Sequence, residues 1–281
     1  MCINFRKSNV FCTYAAVSCL LCGTIAQALV DAPGNFRFDT SGSQSYPDAS
    51  NTGVPPGTVL TPSRSLTVTT AGAIIDALDI SGTLTIKAPN VTVRRTRIRA
   101  SSGGFIVTPE YTGFVLEDSE IDCLDNSGNG VILQKDAIIR RVNIHSCENG
   151  LHVNGPGQLL DSYIHDLWTG EGDHSDGLQF DARANNVIVR GNTIDPNGNT
   201  SAIIMYVGSG TTQNHHVWIE NNRLIGGSGS FTLYTPRYPG GSDIYINNNR
   251  FMPATFGILG SPLTYVTEFY GNVRDDNGNP L

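Results

Sequence analysis

The chain has 281 residues, of which 15% are charged, and a formal net charge of −7 at pH 7. Beyond residue 28 the lysines are Lys87 and Lys135 alone. Binding to nucleic-acid phosphates needs clustered lysines and arginines, so this composition argues against a nucleic-acid partner.

The first 28 residues predict a cleavable secretory signal peptide. Arg6 and Lys7 precede an apolar run from Val10 to Ile25, and Ala26–Ala28 fits the small-x-small cleavage pattern. A membrane anchor is the alternative, although the run is shorter than the roughly 20 residues that a spanning helix needs. Without this segment the chain has 16 basic and 25 acidic residues, a net charge of −9. We therefore expect a secreted, soluble, acidic monomer with no membrane contact.

Residues 29–72 predict an irregular N-terminal arm or cap. Pro, Ser, Gly, Asp and Thr dominate this stretch, which has no sustained hydrophobic period. A flexible linker is the alternative, but Phe36, Phe38 and Tyr46 give the arm apolar surface to bury. The arm contains the segment PDASNTGVP, from Pro47 to Pro55.

Residues 73–281 repeat a short pattern of apolar-x-apolar, two or three polar residues, and a final apolar residue. The final residues of successive copies are 20 to 30 positions apart, which suits one turn of a solenoid. They are Ile98, Ile121, Ile144, Ile164, Ile194, Leu224 and Phe251.

A second series of short strands alternates with the first. Its members are GVILQ (130–134), GLHVN (150–154), GLQFD (177–181), AIIMY (202–206), FTLYT (231–235) and FGILG (256–260). Such a unit cannot bury its apolar face alone, but stacked copies form a continuous core. The sequence therefore predicts an all-β fold, a single-stranded right-handed parallel β-helix. The alternative, a β-sandwich or barrel, would need hairpin turns that this sequence lacks.

Two cysteines follow the first 28 residues, Cys123 and Cys147. They are 24 residues apart, about one coil, and each follows the end of the same type of strand. Stacked coils are about 4.8 Å apart, which suits a disulfide. Because a secreted protein oxidises such a pair, we expect a disulfide between them.

The densest polar stretch is GEGDHSDGLQFD, Gly170 to Asp181, which leads into a strand of the second series. If Leu151, Leu178, Ile203 and Leu233 point inward, two outward columns follow. The first contains His152, Gln179, Ile204 and Thr232; the second contains Asn154, Asp181, Tyr206 and Tyr234. Aromatic rings beside hydrogen-bonding groups suit sugars, so this stripe predicts a polysaccharide site in which Gln179, Asn154 and Tyr234 bind substrate. A solvated face is the alternative.

The same stripe offers candidate acids and bases. The candidate catalytic residues are His174, Asp176, His152, Asp181 and Tyr206. Close carboxylates suit glycoside hydrolysis. Alternatively, His174 or His152 takes a proton beside a uronate carboxylate, and Tyr206 or Tyr234 protonates the leaving oxygen in a β-elimination. In that scheme Arg183 or Arg237 neutralises the substrate carboxylate.

The acids of this stretch are also a candidate calcium site. Asp173, Asp176 and Asp181 supply the oxygen ligands that calcium prefers, although neither reaction requires a cofactor. The plainest alternative is that Asp176 and Asn149 each end a turn before a glycine.

Over about Ala73 to Val273 the chain resembles the pectate-lyase-like superfamily of right-handed β-helices. More narrowly, it is similar to secreted bacterial proteins that join a PDASNTGVP opening to an H-x-D-G-[IL]-Q rung, here His174 to Gln179. The superfamily includes polysaccharide lyases, glycoside hydrolases, epimerases, esterases and phage tail adhesins. The resemblance therefore implies the fold and leaves the reaction open.

The chain departs from two well-known groups of that superfamily. It lacks the close aspartates, Gly-His-Gly and Arg-x-Lys of polygalacturonase-like hydrolases, and the Arg-x-x-Arg-x-Pro-like strand of classical pectate lyases. The leading expectation is a lyase that cleaves a uronate-containing polysaccharide by β-elimination. A glycoside hydrolase or other sugar-modifying enzyme, and a non-catalytic carbohydrate-binding or adhesin module, are the alternatives.

Overall fold

The computed structural model describes residues 45–182, 184–198, 200–205, 214–237, 239 and 241–281. Within these ranges the chain forms short β-strands, one 3-10 turn at Leu263–Tyr265 and no α-helix. No helix of this part of the chain has the length and apolar character to cross a membrane. The predicted signal peptide, and the predictions for Arg183 and Tyr206, lie outside the described residues.

Turns divide most coils into short strands, but two strands, of 21 and 18 residues, continue through the turns. In chain order the strands are β1 (Thr61–Val68), β2 (Ile74–Asp76), β3 (Leu78–Ile86), β4 (Thr92–Arg94), β5 (Arg97–Arg99), β6 (Phe105–Pro109), β7 (Val115–Glu117), β8 (Glu120–Arg140), β9 (Asn143–Leu160), β10 (Tyr163–His165), β11 (Asp176–Phe180), β12 (Asn185–Arg190), β13 (Thr193–Asp195), β14 (Ser201–Met205), β15 (His215–Glu220), β16 (Arg223–Ile225), β17 (Leu233–Tyr234), β18 (Ser242–Asn247), β19 (Arg250–Met252), β20 (Glu268–Tyr270) and β21 (Val273–Arg274).

The strands stack in three parallel ladders, which we call I, II and III. Ladder I runs from β2 through β4, β7, β12, β15 and β18 to β20. Ladder II runs through β5, β10, β13, β16 and β19 to β21, and ladder III through β6, β11, β14 and β17. The long strands β8 and β9 contribute a segment to each ladder. This arrangement confirms the predicted all-β parallel β-helix.

The register of ladder II confirms the predicted repeat. Ile98 pairs with Ile121, Ile121 with Ile144, and Ile144 with Ile164. The ladder continues through Ile194 and Leu224 to Phe251. All of these side chains are fully buried, because each stacks on the equivalent residue of the next coil in one continuous core.

The parallel pairing also extends upstream of Ala73. Strand β1 pairs with β3, for example Thr61 with Leu78 and Val68 with Ile86. Strand β1 thus lies within residues 29–72, which were expected to be irregular, whereas residues 45–60 contain no strand. In this arm the Gly53 N–H donates to the Arg141 carbonyl (3.0 Å), and burial raises the pKa of Tyr46 to about 12 against the opposing effect of Arg250. Tyr46 and Gly53 therefore lie beside ladder II.

Buried asparagines support the bend between ladders I and II. The Asn222 Oδ1 accepts from the Asn192 backbone N–H, and the Asn249 Oδ1 accepts from that of Asn222, both at 2.9 Å. In the same way, the Asn272 Oδ1 accepts from the Asn249 backbone N–H. A buried backbone N–H without an acceptor is costly, so these side chains replace the backbone pairing that the bend interrupts.

The predicted disulfide is confirmed. Cys123 and Cys147 are joined with an S–S distance of 2.01 Å and a Cα–Cα distance of 4.7 Å. Both residues are fully buried in the core. The bond therefore links two neighbouring coils just before the strand segments of ladder III.

Removing this bond should destabilise the β-helix. We expect the double variant Cys123→Ala, Cys147→Ala to lose about 2–4 kcal/mol of unfolding free energy, because the disulfide restricts the unfolded chain. Urea unfolding of the oxidised protein, the reduced protein and the variant checks this. Equal stability of the oxidised and reduced forms would contradict it.

Candidate functional site

A row of outward side chains crosses ladder III. His152 pairs with Gln179, Gln179 with Ile204, and Ile204 with Tyr234. The residues beside them, Leu151, Leu178, Ile203 and Leu233, are fully buried, as the alternation of a strand requires. We call the four outward residues, His152, Gln179, Ile204 and Tyr234, the groove row. With a rise of about 4.8 Å per coil, the row spans roughly 14 Å.

The sequence placed one coil of this row incorrectly. Thr232 was expected to point outward and Tyr234 to belong to the next column. In the structure Thr232 is fully buried, and its hydroxyl donates to the Met252 carbonyl at 2.6 Å. Thr232 precedes β17 and lies in the turn, so strand alternation does not apply to it. Tyr234 takes the position in the groove row instead.

A cavity of about 480 Å³ opens beside the Tyr234 end of the groove row. It brings together residues from the coils of β14 and β17 and from the loop before β11. The lining residues are Asp173, His174, Thr200, Ile204, Ser230, Tyr234 and Arg237. Three of the predicted site residues, His174, Tyr234 and Arg237, therefore share one cavity although up to 63 positions separate them in the sequence.

Arg237 is held at the edge of this cavity by neutral groups. Its Nη2 donates to the Gly260 carbonyl (3.0 Å) and its Nε to the Ser261 hydroxyl (3.2 Å). The guanidinium carbon lies 5.7 Å from the centroid of the Tyr234 ring. Elsewhere arginines such as Arg190 pair with carboxylates, but within the described ranges we find no carboxylate paired with Arg237. Arg237 therefore places an exposed positive charge at the edge of the cavity.

Glu148 lies next to the loop that carries His174 and was not predicted. It is partly buried on β9, and its carboxylate accepts a hydrogen bond from the backbone N–H of His174. Burial, followed by the charge of Asp173, raises the pKa of Glu148, while His152 and His174 act in the opposite direction. Glu148 precedes Asn149-Gly150 just as Ser175 precedes Asp176-Gly177 one coil later. Aligning these two coils places Glu148 level with the polar stretch around His174, which is the sequence signal that could have identified it.

The other end of the groove row is formed by His152. Its Nδ1 lies 3.8 Å from Asp181 Oδ1, and its ring meets Phe105 edge to face at a centroid distance of 5.3 Å. Asn154 lies next to Asp181, because the Asp181 N–H donates to the Val153 carbonyl. Gln179 and Asn154 are partly buried. Thus His152, Asp181, Asn154 and Gln179 form one side of the groove, away from the cavity.

Asp176 has different surroundings from its neighbour His174. It is 2% exposed, its backbone N–H donates to Asn149 Oδ1 (2.9 Å), and its carboxylate accepts from the Ser201 hydroxyl. The Asn149 Nδ2 in turn donates to Asn129 Oδ1 (2.9 Å). Asp176 is not among the residues that line the cavity. These contacts favour the alternative in which Asn149 and Asp176 end equivalent turns.

The buried Asp176 carboxyl should make stability depend on pH. Burial raises its pKa to about 7, Ser201 opposes this shift, and Glu148 adds to it. Because the folded pKa lies above the unfolded one, ionisation costs stability progressively as the pH rises from about 4 to about 7. We expect Asp176→Asn, which keeps an acceptor for Ser201, to raise the Tm by a few degrees at about pH 8 and not at about pH 4.

The control for this measurement is Asp125→Asn, a substitution at an exposed position with the same change of charge. Thermal unfolding of both variants across the pH range checks the prediction. A gain that is the same at both pH values, or is shared by the control, would contradict it.

The three candidate calcium ligands have different surroundings. Among the residues described, no group of three or more His, Cys, Asp or Glu side chains is arranged to hold a metal ion. Asp173 borders the cavity, Asp176 is buried against Ser201, and Asp181 lies beside His152. The three aspartates therefore do not fit a shared cation, and no chemical step below involves one.

Comparison with known proteins finds no matching family model and no matching curated protein. Among solved structures, the chain is similar to the tailspike protein of E. coli bacteriophage HK620 in complex with a pentasaccharide, at 14% identity and a TM-score of 0.37. This match covers 75% of the present chain and 42% of the tailspike. Two mutant forms of that tailspike with pentasaccharide match at 13% and 12% identity, both with a TM-score of 0.40. Each of these matches covers 76% of the present chain and 44% of the tailspike.

The chain thus spans less than half the length of these tailspike chains. The fold assignment rests on the strand register described above, which by itself defines the protein as a parallel β-helix.

Proposed function

We propose that the protein is a secreted polysaccharide lyase that cleaves a uronate-containing polymer by β-elimination. The observation that carries the proposal is that His174, Tyr234 and Arg237 line one open cavity. A β-elimination on a uronate needs a base, an acid and a positive charge beside the carboxylate, and these residues supply all three.

Each residue has a distinct role in this reaction. The Arg237 guanidinium pairs with the uronate carboxylate and makes the neighbouring C5–H bond more acidic. His174 takes the C5 proton, and the electrons of that bond form the C4–C5 double bond as the bond from C4 to the glycosidic oxygen breaks. The Tyr234 hydroxyl gives its proton to the leaving oxygen. No cofactor is needed, because atoms and electrons balance with these groups alone.

The groove row extends the binding surface beyond the reacting sugar. Ile204 offers an apolar contact for a sugar ring face, and Gln179 and Asn154 offer hydrogen bonds along the same face. Thr200 and Ser230 add hydroxyl groups within the cavity. A row of roughly 14 Å accommodates several sugar units in line, which favours a polymer over a single sugar.

A glycoside hydrolase is the second candidate, and Glu148 is the observation that favours it. Its raised pKa beside Asp173 is the environment of a general acid next to a second carboxylate. In that reaction Glu148 would protonate the leaving oxygen and Asp173 would act on the opposite side. The lyase is preferred because Arg237 has a clear role only on an anionic sugar.

A panel of polysaccharides separates these functions. We expect uronate-containing polymers to yield products with the ultraviolet absorption of an unsaturated uronate. New reducing ends without that absorption would show that the protein is a hydrolase and not a lyase. Binding without any new ends would show that the protein is a non-catalytic carbohydrate-binding module.

A further inference from the structure

Carboxylates surround much of the groove. Asp181 lies beside His152 at one end, and Glu148 and Asp173 lie close enough to influence each other beside His174. Glu171 is exposed on the same loop. The guanidinium of Arg237 lies at the opposite end, over Tyr234. Within the part of the chain that the structure describes, the groove is therefore acidic at its His152 end. At its Tyr234 end it carries the Arg237 cation, with Asp173 across the cavity.

Each position of the groove row, one per coil, is called a rung below. The uncharged rungs lie between these two ends. From Tyr234 the groove row continues to Ile204, which has no polar side-chain atom, and then to the uncharged Gln179. The next rung is His152 with Asp181 beside it. A coil rise of about 4.8 Å is close to the length of one sugar unit, so successive sugars would face successive rungs.

These positions restrict which sugars can carry a charge. A carboxylate next to Arg237 is favoured, whereas a carboxylate facing Ile204 loses water without gaining a partner. A carboxylate facing Asp181 or Glu148 meets a like charge. A neutral sugar avoids these costs at Ile204 and at the position of His152 and Asp181. The Gln179 amide between them can donate to the carboxylate of a uronate.

We infer that the substrate is a heteropolysaccharide in which uronates alternate with neutral sugars, and that homopolymeric polyuronates are poor substrates. This inference rests on the proposed lyase function. Specificity then comes from repulsion by the groove as well as from attraction by Arg237, which is a general way to exclude a chemically similar partner.

The test compares kcat/KM on a homopolymeric polyuronate and on an alternating polymer of the same uronate with a neutral sugar. We expect the alternating polymer to be preferred by roughly 10-fold or more, in line with a single unfavourable charge contact. The double variant Glu171→Gln, Asp181→Asn should raise the ratio of homopolymer to alternating-polymer activity several-fold. The matched control Asp243→Asn, on ladder I, should leave that ratio unchanged.

The outcomes separate the inference from the proposed function. Preferential cleavage of the homopolymer, or a ratio that does not respond to the double variant, overturns the inference while the lyase stands. If no polymer yields an unsaturated product, the lyase fails, and affinity electrophoresis with the same two polymers then tests the groove charge alone. Equal retardation by both polymers in that assay overturns the inference as well.

Discussion

Replacing His174 by alanine is expected to lower kcat for β-elimination by roughly 10³-fold and to leave polysaccharide binding nearly unchanged. Positioned acid–base groups contribute about 10²- to 10⁴-fold, and His174 is the base of the proposed reaction. Its side chain is exposed on the loop before β11, so its removal leaves no cavity in the core. Glu148 binds the backbone N–H at this position, which the substitution retains.

Three measurements make this prediction specific. Initial rates follow the ultraviolet absorption of the product, affinity electrophoresis follows binding, and added imidazole should restore part of the lost rate if the missing group is a base. His216→Ala is the control, because His216 is exposed on ladder I and does not line the cavity. A parallel loss of binding and turnover, without rescue by imidazole, would show that His174 is only a contact residue.

The second large effect concerns stability. We expect Gly177→Val to cost more than about 4 kcal/mol of unfolding free energy, or to prevent folding. A Cβ atom at Gly177 would lie 2.2 Å from Ile194 Cγ2 and 2.5 Å from the Ala202 carbonyl oxygen. These neighbours are a core side chain and the backbone of the next coil, neither of which can move without disturbing the stack.

The matched control is Gly103→Val, because a Cβ atom at Gly103 meets nothing within 4 Å. Urea unfolding of the two variants should show a large loss for the first and a change of roughly 0.5 kcal/mol or less for the second. Similar stability of both variants would contradict the close stacking of ladder III on its neighbouring coil.

The coil architecture was predictable because one strong signal repeats. Ile121 and Ile144 pair just as their spacing implies, and the Cys123–Cys147 disulfide joins the same neighbouring coils. Apolar residues at a regular interval have a single efficient arrangement, in which each stacks on its equivalent. The interval therefore identifies the neighbours, whatever the loops between them contain.

The turns were less predictable, because side-chain direction there does not follow alternation. Thr232 lies immediately before β17 and points inward, which moves Tyr234 into the groove row. Asn192 and Asn222 each stand two residues before a core residue of ladder II, but their inward direction depends on backbone groups of the adjacent coil. Such partners are known only once the coils are aligned.

The candidate site was predicted in part for the same reason. His174, Tyr234 and Arg237 were each predicted as site residues, and the structure adds that they line one cavity. Asp176 belongs to the same stretch but is directed into a buried turn, because its carboxylate binds Ser201. Glu148 has no distinctive motif of its own and becomes prominent only through its position beneath the loop that carries His174.

Whether the cavity around His174 performs a β-elimination can be decided by digesting a uronate-containing polysaccharide in water enriched in oxygen-18 and measuring the masses of the products. Elimination breaks the bond without adding water, so we expect unsaturated oligosaccharides whose newly formed ends carry no heavy oxygen from bond cleavage. Saturated products that each gain one heavy oxygen at the cleaved bond would contradict it.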